Sequence, residues 1–104
     1  MTYRSRKLLD LAHRVTECQV QIPGVCEGHS AHGCEPAHSN QIRHGKGFGN
    51  KAADYMHAAA CHSCHAELDQ GRGLTKAERR AYFEEAWART IALYFEQGWL
   101  GVTG

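Results

Sequence analysis

Cys61-His62-Ser63-Cys64-His65 constrains this chain more than any other stretch. Two thiols with two residues between them can close on one metal ion. A second pair, Cys18 and Cys26, lies upstream with seven residues between them. Four thiolates in two close pairs make a tetrahedral sulfur site, which suits Zn²⁺. Pro23-Gly24 breaks the chain between Cys18 and Cys26, and such a turn brings both sulfurs to one ion. With all four positions filled by protein, the site is structural: it contributes to folding and does no chemistry itself.

The chain has 104 residues, enough for one domain and one modest core. One domain over residues 1–104 is expected, its core at about 12–72 and a C-terminal packing helix at about 76–97. Formal net charge is +1; four thiolates and one Zn²⁺ change it to +1 − 4 + 2 = −1. Any nucleic-acid contact is therefore a local patch. Eight histidines and five cysteines are many for this length and mark a metal protein. No apolar run spans a membrane, and no export signal opens the chain. With an odd cysteine count, that argues against a disulfide framework and for the reducing cytoplasm of a bacterial host cell. Cys34 is left over: a packing bystander on the plain reading, a substitute ligand or reactive thiol on the other.

Cys61-x-x-Cys64-His65 also matches covalent haem attachment. That reading requires export, leaves Cys18 and Cys26 unexplained and finds no downstream methionine for a distal ligand. A thioredoxin-like motif lacks its βαβ surroundings.

Along the chain, Leu8, Leu11, Ala12 and Val15 predict a short amphipathic helix over 5–14, with Arg6, Lys7 and Arg14 on the wet side. Glu17 to Ile22 alternates and predicts a half-buried strand with Cys18, Val20 and Ile22 inward. Residues 27–35 read as an irregular loop. Pro36 to Asn40 reads as a short strand presenting His38, and Asp54 to Ala60 as a second. Between them, residues 43–51 form a glycine-rich basic loop. Arg43, Lys46 and Lys51 there suit a phosphate backbone, or are simply solvated at a flexible hairpin tip. No P-loop pattern is present. Cys64 to Gln70 is expected to be helical, ended by Gly71 and Gly73. Thr75-Lys76-Ala77-Glu78 is a capping box opening a helix to Gln97, with Gly98 as its stop. Phe83, Trp87, Ile91 and Tyr94 place a core face on that helix.

His65 follows a zinc ligand, and Asp69 lies four residues on, so both project from one helical face. Together they can hold a hard divalent ion. The bland alternative pairs Asp69 with Arg72 and packs His65 against the thiol knuckle. His13, His29, His32, His44, His57 and His62 read individually as surface or packing residues.

With these residues in place the chain resembles the HNH endonucleases of the ββα-metal superfamily, in which a histidine ends a first strand and CxxCH opens a helix after a second. Within that group it is similar to a small prophage family whose members are named as nucleases and include YbcO. The resemblance rests on Glu17-Cys18-Gln19-Val20-Gln21-Ile22-Pro23-Gly24-Val25-Cys26, Ala37-His38, Lys51-Ala52-Ala53-Asp54, and Ala60-Cys61-His62-Ser63-Cys64-His65 through Asp69. It covers roughly residues 12–72. It implies a small α+β fold: a ββα-metal core with the four-cysteine zinc site, a short N-terminal helix and a long C-terminal one. It implies a metal-dependent DNA endonuclease or nickase, phage or prophage encoded. His38 is then the general base, and His65 with Asp69 holds a catalytic Mg²⁺-type ion. Arg43, Lys46 and Lys51 grip the DNA backbone. A homodimer, or a phage recombination or replication partner, fits so small a scaffold.

Two departures stand out. Ala37 occupies a position where the superfamily often has an Asp or His ligand. The orienting Asn is not obvious, with Asn40, Asn50 and Asp54 eligible; Asp54 fits the narrower family best. Asp54 could orient His38, complete the metal shell or cap a strand end. The rival function is a zinc-stabilised DNA- or protein-binding module without catalysis, on a degenerate HNH fold.

Overall fold

The computed structural model describes residues 2–47, 49–71 and 73–103. Phe48 of the basic loop and Arg72, the alternative partner of Asp69, lie outside the described residues.

The chain opens with a short helix, α1 (Arg6–Asp10), which tightens into a 3₁₀ turn at Leu11–Arg14. Ser5 caps it by accepting from Leu8 N–H. Arg6, Lys7 and Arg14 are exposed, whereas Ala12 and Val15 are buried, as the spacing predicts. The expected strand over Glu17–Ile22 is not one. Its burial does alternate, with Cys18, Val20 and Ile22 inside. But its backbone has only an isolated bridge, Glu17 to His29, and Gln21 turns to φ 58°, outside the extended range. An inward-facing alternation fixes side-chain direction without supplying a partner strand, and the turn that gathers the thiols bends the chain away first.

Two strands form the sheet: β1 (Glu35–His38) and β2 (His57–Ala60), antiparallel with His38 opposite His57. β2 is shorter than expected because residues 54–56 turn, with Met56 N–H donating to Ala53 C=O at 2.8 Å. All four β2 residues are buried. Ala58 and Ala60 face the cluster of Cys18, Val20, Ile22, Cys61, Cys64, Leu68, Phe83 and Ala86. Ala59 faces the other side, towards Ala12, Val15, Cys34 and Tyr94. Such alternation is the period of a strand, and only small residues fit a strand covered on both faces.

A two-stranded sheet is marginal alone. The edge of β2 away from β1 is satisfied by other elements: Ala59 N–H donates to Thr90 Oγ1 at 3.0 Å, and its C=O accepts from Gln19 N–H at 2.9 Å. Helix α2 (His62–Gln70) follows β2 at once, two residues earlier than expected, because Cys61 itself caps it by accepting from Cys64 N–H. Helix α3 (Lys76–Glu96) has the full Thr75–Glu78 capping box, and Gly98 stops it at φ 75°. Its buried face carries Phe83, Ala86, Thr90 and Tyr94, with Trp87 and Ile91 partly covered. None of the described helices is long and apolar enough to cross a membrane.

Cys34 packs in the second cluster, fully buried, and burial pushes its thiol up to about 12. A neutral thiol in an apolar wall is the bystander, not a ligand and not a nucleophile.

Candidate functional site

The four cysteines meet where the Pro23-Gly24 turn, the end of β2 and the start of α2 converge. One sulfur from each of Cys18, Cys26, Cys61 and Cys64 lies within 4.8 Å of the others. A tetrahedron of Zn–S bonds places sulfurs about 3.8 Å apart, so the cluster fits such an ion with a small contraction. Backbone N–H groups point at the sulfurs: Cys61 N–H at Cys18 Sγ (3.2 Å), Gly28 N–H at Cys26 Sγ (3.2 Å), and Glu27 and Cys64 N–H at Cys61 Sγ (3.4 Å each). These donors suit thiolates. At Cys18 burial alone would raise the thiol, but N–H groups of Gln21, Cys61 and Val20 outweigh it and lower its pKa. Burial raises Cys26 and Cys64. Sulfurs this close cannot all ionise without a cation among them, and a divalent ion removes that conflict. Among the described residues no other group of three or more His, Cys, Asp and Glu brings its ligand atoms so close together.

Beside the cluster, β1 and α2 wall a cleft of about 330 Å³ lined by His38, Asn40, Lys46, Lys51, His65 and Asp69, among others. His38, at the end of β1, is set by Asp54. The carboxylate Oδ1 accepts from His38 Nε2 at 2.9 Å and from Arg4 Nη1 at 3.0 Å, and Oδ2 accepts from Ser5 N–H at 2.7 Å. A carboxylate only accepts, so Nε2 carries the proton and Nδ1 is the free basic nitrogen. Asp54 is buried, which opposes ionisation. The bonds from His38, Ser5 and Arg4 outweigh that and hold its pKa below the ordinary aspartate value. The Asp54 main chain is itself anchored. Its C=O accepts from Nδ1 of the fully buried His57 at 2.6 Å, and His57 Nε2 then accepts from Tyr94 O–H at 2.9 Å. Burial lowers the His57 pKa, so this ring is neutral. His57 is thus a packing residue, as read from the sequence.

His65 stands between two carboxylates. Nε2 lies 3.3 Å from Asp69 Oδ2, and Nδ1 lies 2.7 Å from Glu35 Oε1. The Asp69 bond first, then Glu35, raises the His65 pKa against the opposing effect of burial. Burial opposes the ionisation of Asp69, but His65 and Asn40 lower its pKa, and Asn40 Nδ2 holds Oδ1 at 3.2 Å. Two ligand atoms in neighbouring positions of an octahedral Mg²⁺ shell sit about 3.0 Å apart; the His65 Nε2–Asp69 Oδ2 spacing fits. Glu35 on the far nitrogen leaves Nε2 free to ligate, the usual arrangement of a metal-binding imidazole.

Of the candidates read from sequence, His38, His65, Asp69, Lys46 and Lys51 thus line one cleft, and Asp54 backs it. Arg43 is elsewhere. Its Nε donates to Gln41 Oε1 at 2.7 Å and it pairs with Glu84 of α3, on the far side of the loop. The α3 carboxylate holds a cation that sequence proximity grouped with Lys46 and Lys51. Ala37 points into the core, fully buried, so position 37 cannot face the cleft. Glu35 and Arg4 carry no motif and were not singled out. Each reaches its partner across 30 or more positions of chain, and no local spacing signals that.

Fold and site together define a small α+β protein: an antiparallel strand pair running into a helix, knit by four cysteines, with a histidine–carboxylate cleft beside them. The chain belongs to the YbcO family, whose description, "Putative nuclease YbcO", matches over residues 7–99. It is 31% identical over 93 residues to "Putative nuclease YbcO" of Escherichia coli (strain K12), a match covering 84% of this chain and 90% of that one. The figures for "Putative nuclease ybcO" of Enterobacteria phage 82 are also 31% over 93 residues, 84% and 90%. A solved structure, "Structure of a putative bacteriophage protein from Escherichia coli str. K-12 substr. MG1655", is similar with a TM-score of 0.64 at 30% identity, over 86% of this chain and 98% of that one.

Proposed function

We propose that the chain is a metal-dependent DNA endonuclease or nickase of phage or prophage origin, on a ββα-metal (HNH) scaffold. The observation that carries this reading is the His38–Asp54 pair at a cleft that also holds His65, Asp69, Lys46 and Lys51. His38 is the general base. Its free Nδ1 takes a proton from the water attacking the scissile phosphate, and Asp54 stabilises the imidazolium that forms. His65 and Asp69 would hold a Mg²⁺-type ion, and Glu35 fixes the His65 ring. When bound, that ion supplies positive charge for the phosphorane and the leaving 3′ oxygen. Lys46 and Lys51 grip the flanking backbone, which makes binding salt-sensitive and largely independent of sequence.

Plasmid cleavage by the zinc-loaded protein, with Mg²⁺, Mn²⁺ or EDTA and His38→Ala as the paired control, tests this. Metal-dependent nicking lost in the variant, with fold and bound zinc retained, is the expected result. Absence of cleavage on supercoiled, linear, single-stranded and branched DNA favours the second reading, a zinc-stabilised binding module without catalysis. The inward-facing Ala37, which offers the cleft no ligand, is the observation on that side.

A further inference from the structure

The cleft continues past Asn40 and Asp69 into a recess of about 140 Å³ between α2 and the first turns of α3. Gln41, Leu68 and Phe83 line it, and Lys76, Arg79 and Arg80 stand around it. His38, Asn40 and Asp69 are common to both hollows, so the two are continuous.

Three features of this recess call for a bound anion. First, Lys76, Arg79 and Arg80 crowd three cations onto the opening turns of one helix, where like charges at i,i+4 repel. The nearby acids are taken: Glu78 closes the capping box, Glu84 pairs with Arg43, and Asp69 is held by His65 and Asn40. Arg79 donates to Gly71 C=O at 2.7 Å, whereas Lys76 and Arg80 have no hydrogen bond or ion pair among the described residues. Second, the helix dipole places positive potential at this same end of a 21-residue helix. Third, Gln41 is only 5% exposed, and its Nε2 has no hydrogen-bond partner among the described residues. Its Oε1 accepts from Arg43, so the unpaired group is the donor end of the amide. Buried donors are rarely left unpaired, and one lining a cationic recess suits an acceptor from outside. Leu68 and Phe83 add an apolar floor, of the kind a sugar ring packs on.

We propose that this recess binds the nucleotide adjoining the scissile phosphate. Its backbone phosphate lies against Lys76, Arg80 and Gln41 Nε2, and its sugar lies on Leu68 and Phe83. The inference rests on the proposed nuclease reading, since it places the strand in the same cleft as His38. It assigns to α3, read from sequence as a packing helix, a second basic arm facing Lys46 and Lys51.

The test is fluorescence anisotropy of the zinc-loaded protein on a labelled DNA duplex and on the matching single strand, in EDTA and over a salt series. Wild type is compared with Lys76→Ala/Arg80→Ala and with Lys7→Ala, a charge removed outside the cleft. The double variant is expected to bind more weakly on every sequence. Its slope of log affinity against log salt should be smaller by about 2, one per lost phosphate contact. Lys7→Ala should match wild type, and thermal unfolding should show all three folded. The Gln41 side-chain amide resonance should shift on addition of the DNA. An unchanged slope and affinity in the double variant overturns the recess even if wild type cleaves. Wild type that binds through Lys76 and Arg80 but cleaves nothing supports the recess and sinks the nuclease reading. Wild type that binds no DNA overturns both.

Discussion

Asp54→Asn separates the positioning of His38 from the stability of the fold. The carboxylate side chain is 5% exposed and accepts three hydrogen bonds, from His38, Arg4 and Ser5 N–H. An amide of the same shape keeps one oxygen. Placed at Oδ1, that oxygen still serves His38 and Arg4, while the new NH₂ faces Ser5 N–H, donor against donor. One poorly buried Arg4 pairing adds little, and the unpaired N–H costs about 1–3 kcal/mol. A loss of about 2–3 kcal/mol follows, or roughly 10 °C in Tm for a domain of this size. The chemical effect is separate. The imidazolium of His38 loses a charged acceptor worth about 1.5–3 kcal/mol, and at 1.36 kcal/mol per tenfold that is one to two powers of ten in kcat/KM. Calorimetry and plasmid nicking at a temperature where both proteins are folded measure the two effects. The pH dependence adds a sign. Asp54 has a depressed folded pKa, so its stabilisation is present above the ordinary aspartate value and is lost as pH falls through the folded one. Asp54→Asn should therefore lose the acid limb of the wild-type stability profile that this carboxylate contributes. A variant that is destabilised yet cleaves at the wild-type rate would refute the base-positioning role and leave Asp54 as an anchor for Ser5 and Arg4.

Three further outcomes are expected. Stripping zinc with a strong chelator, or Cys61→Ser, should unfold the chain, because apparent zinc binding of about 10–16 kcal/mol exceeds the stability of most small domains; far-UV dichroism that stays native would remove zinc from the fold. Thr90→Val should cost about 1–3 kcal/mol by leaving Ala59 N–H buried without its acceptor, read from chemical denaturation. His65 has a raised folded pKa, from Asp69 first and Glu35 next, so its contribution is present below the ordinary histidine value and lost as pH rises through the folded one. A Tm profile of the zinc-loaded protein in magnesium-free buffer should show that loss on the alkaline side of neutrality, and His65→Gln should abolish it.

The sequence by itself determined what short spacing can carry. Cys61 and Cys64 on one turn, Cys18 and Cys26 around Pro23-Gly24, His65 and Asp69 at i,i+4, and the Thr75–Glu78 box all depend on neighbours within eight positions, and backbone geometry alone nearly places them. The burial alternation of Cys18, Val20 and Ile22 was equally plain, but alternation says which side faces in, not whether a partner strand pairs with it. Only the tertiary structure decided the rest. It set Glu35 on His65, put Asp54 rather than Asn40 or Asn50 behind His38, drew Arg43 away to Glu84, buried Cys34 and brought Lys76 and Arg80 to the end of the cleft. Each of these joins segments far apart in the chain. Their pairing follows from how β2 packs on α3 and how the thiol cluster draws residues 18–26 onto α2, and no local pattern encodes that packing.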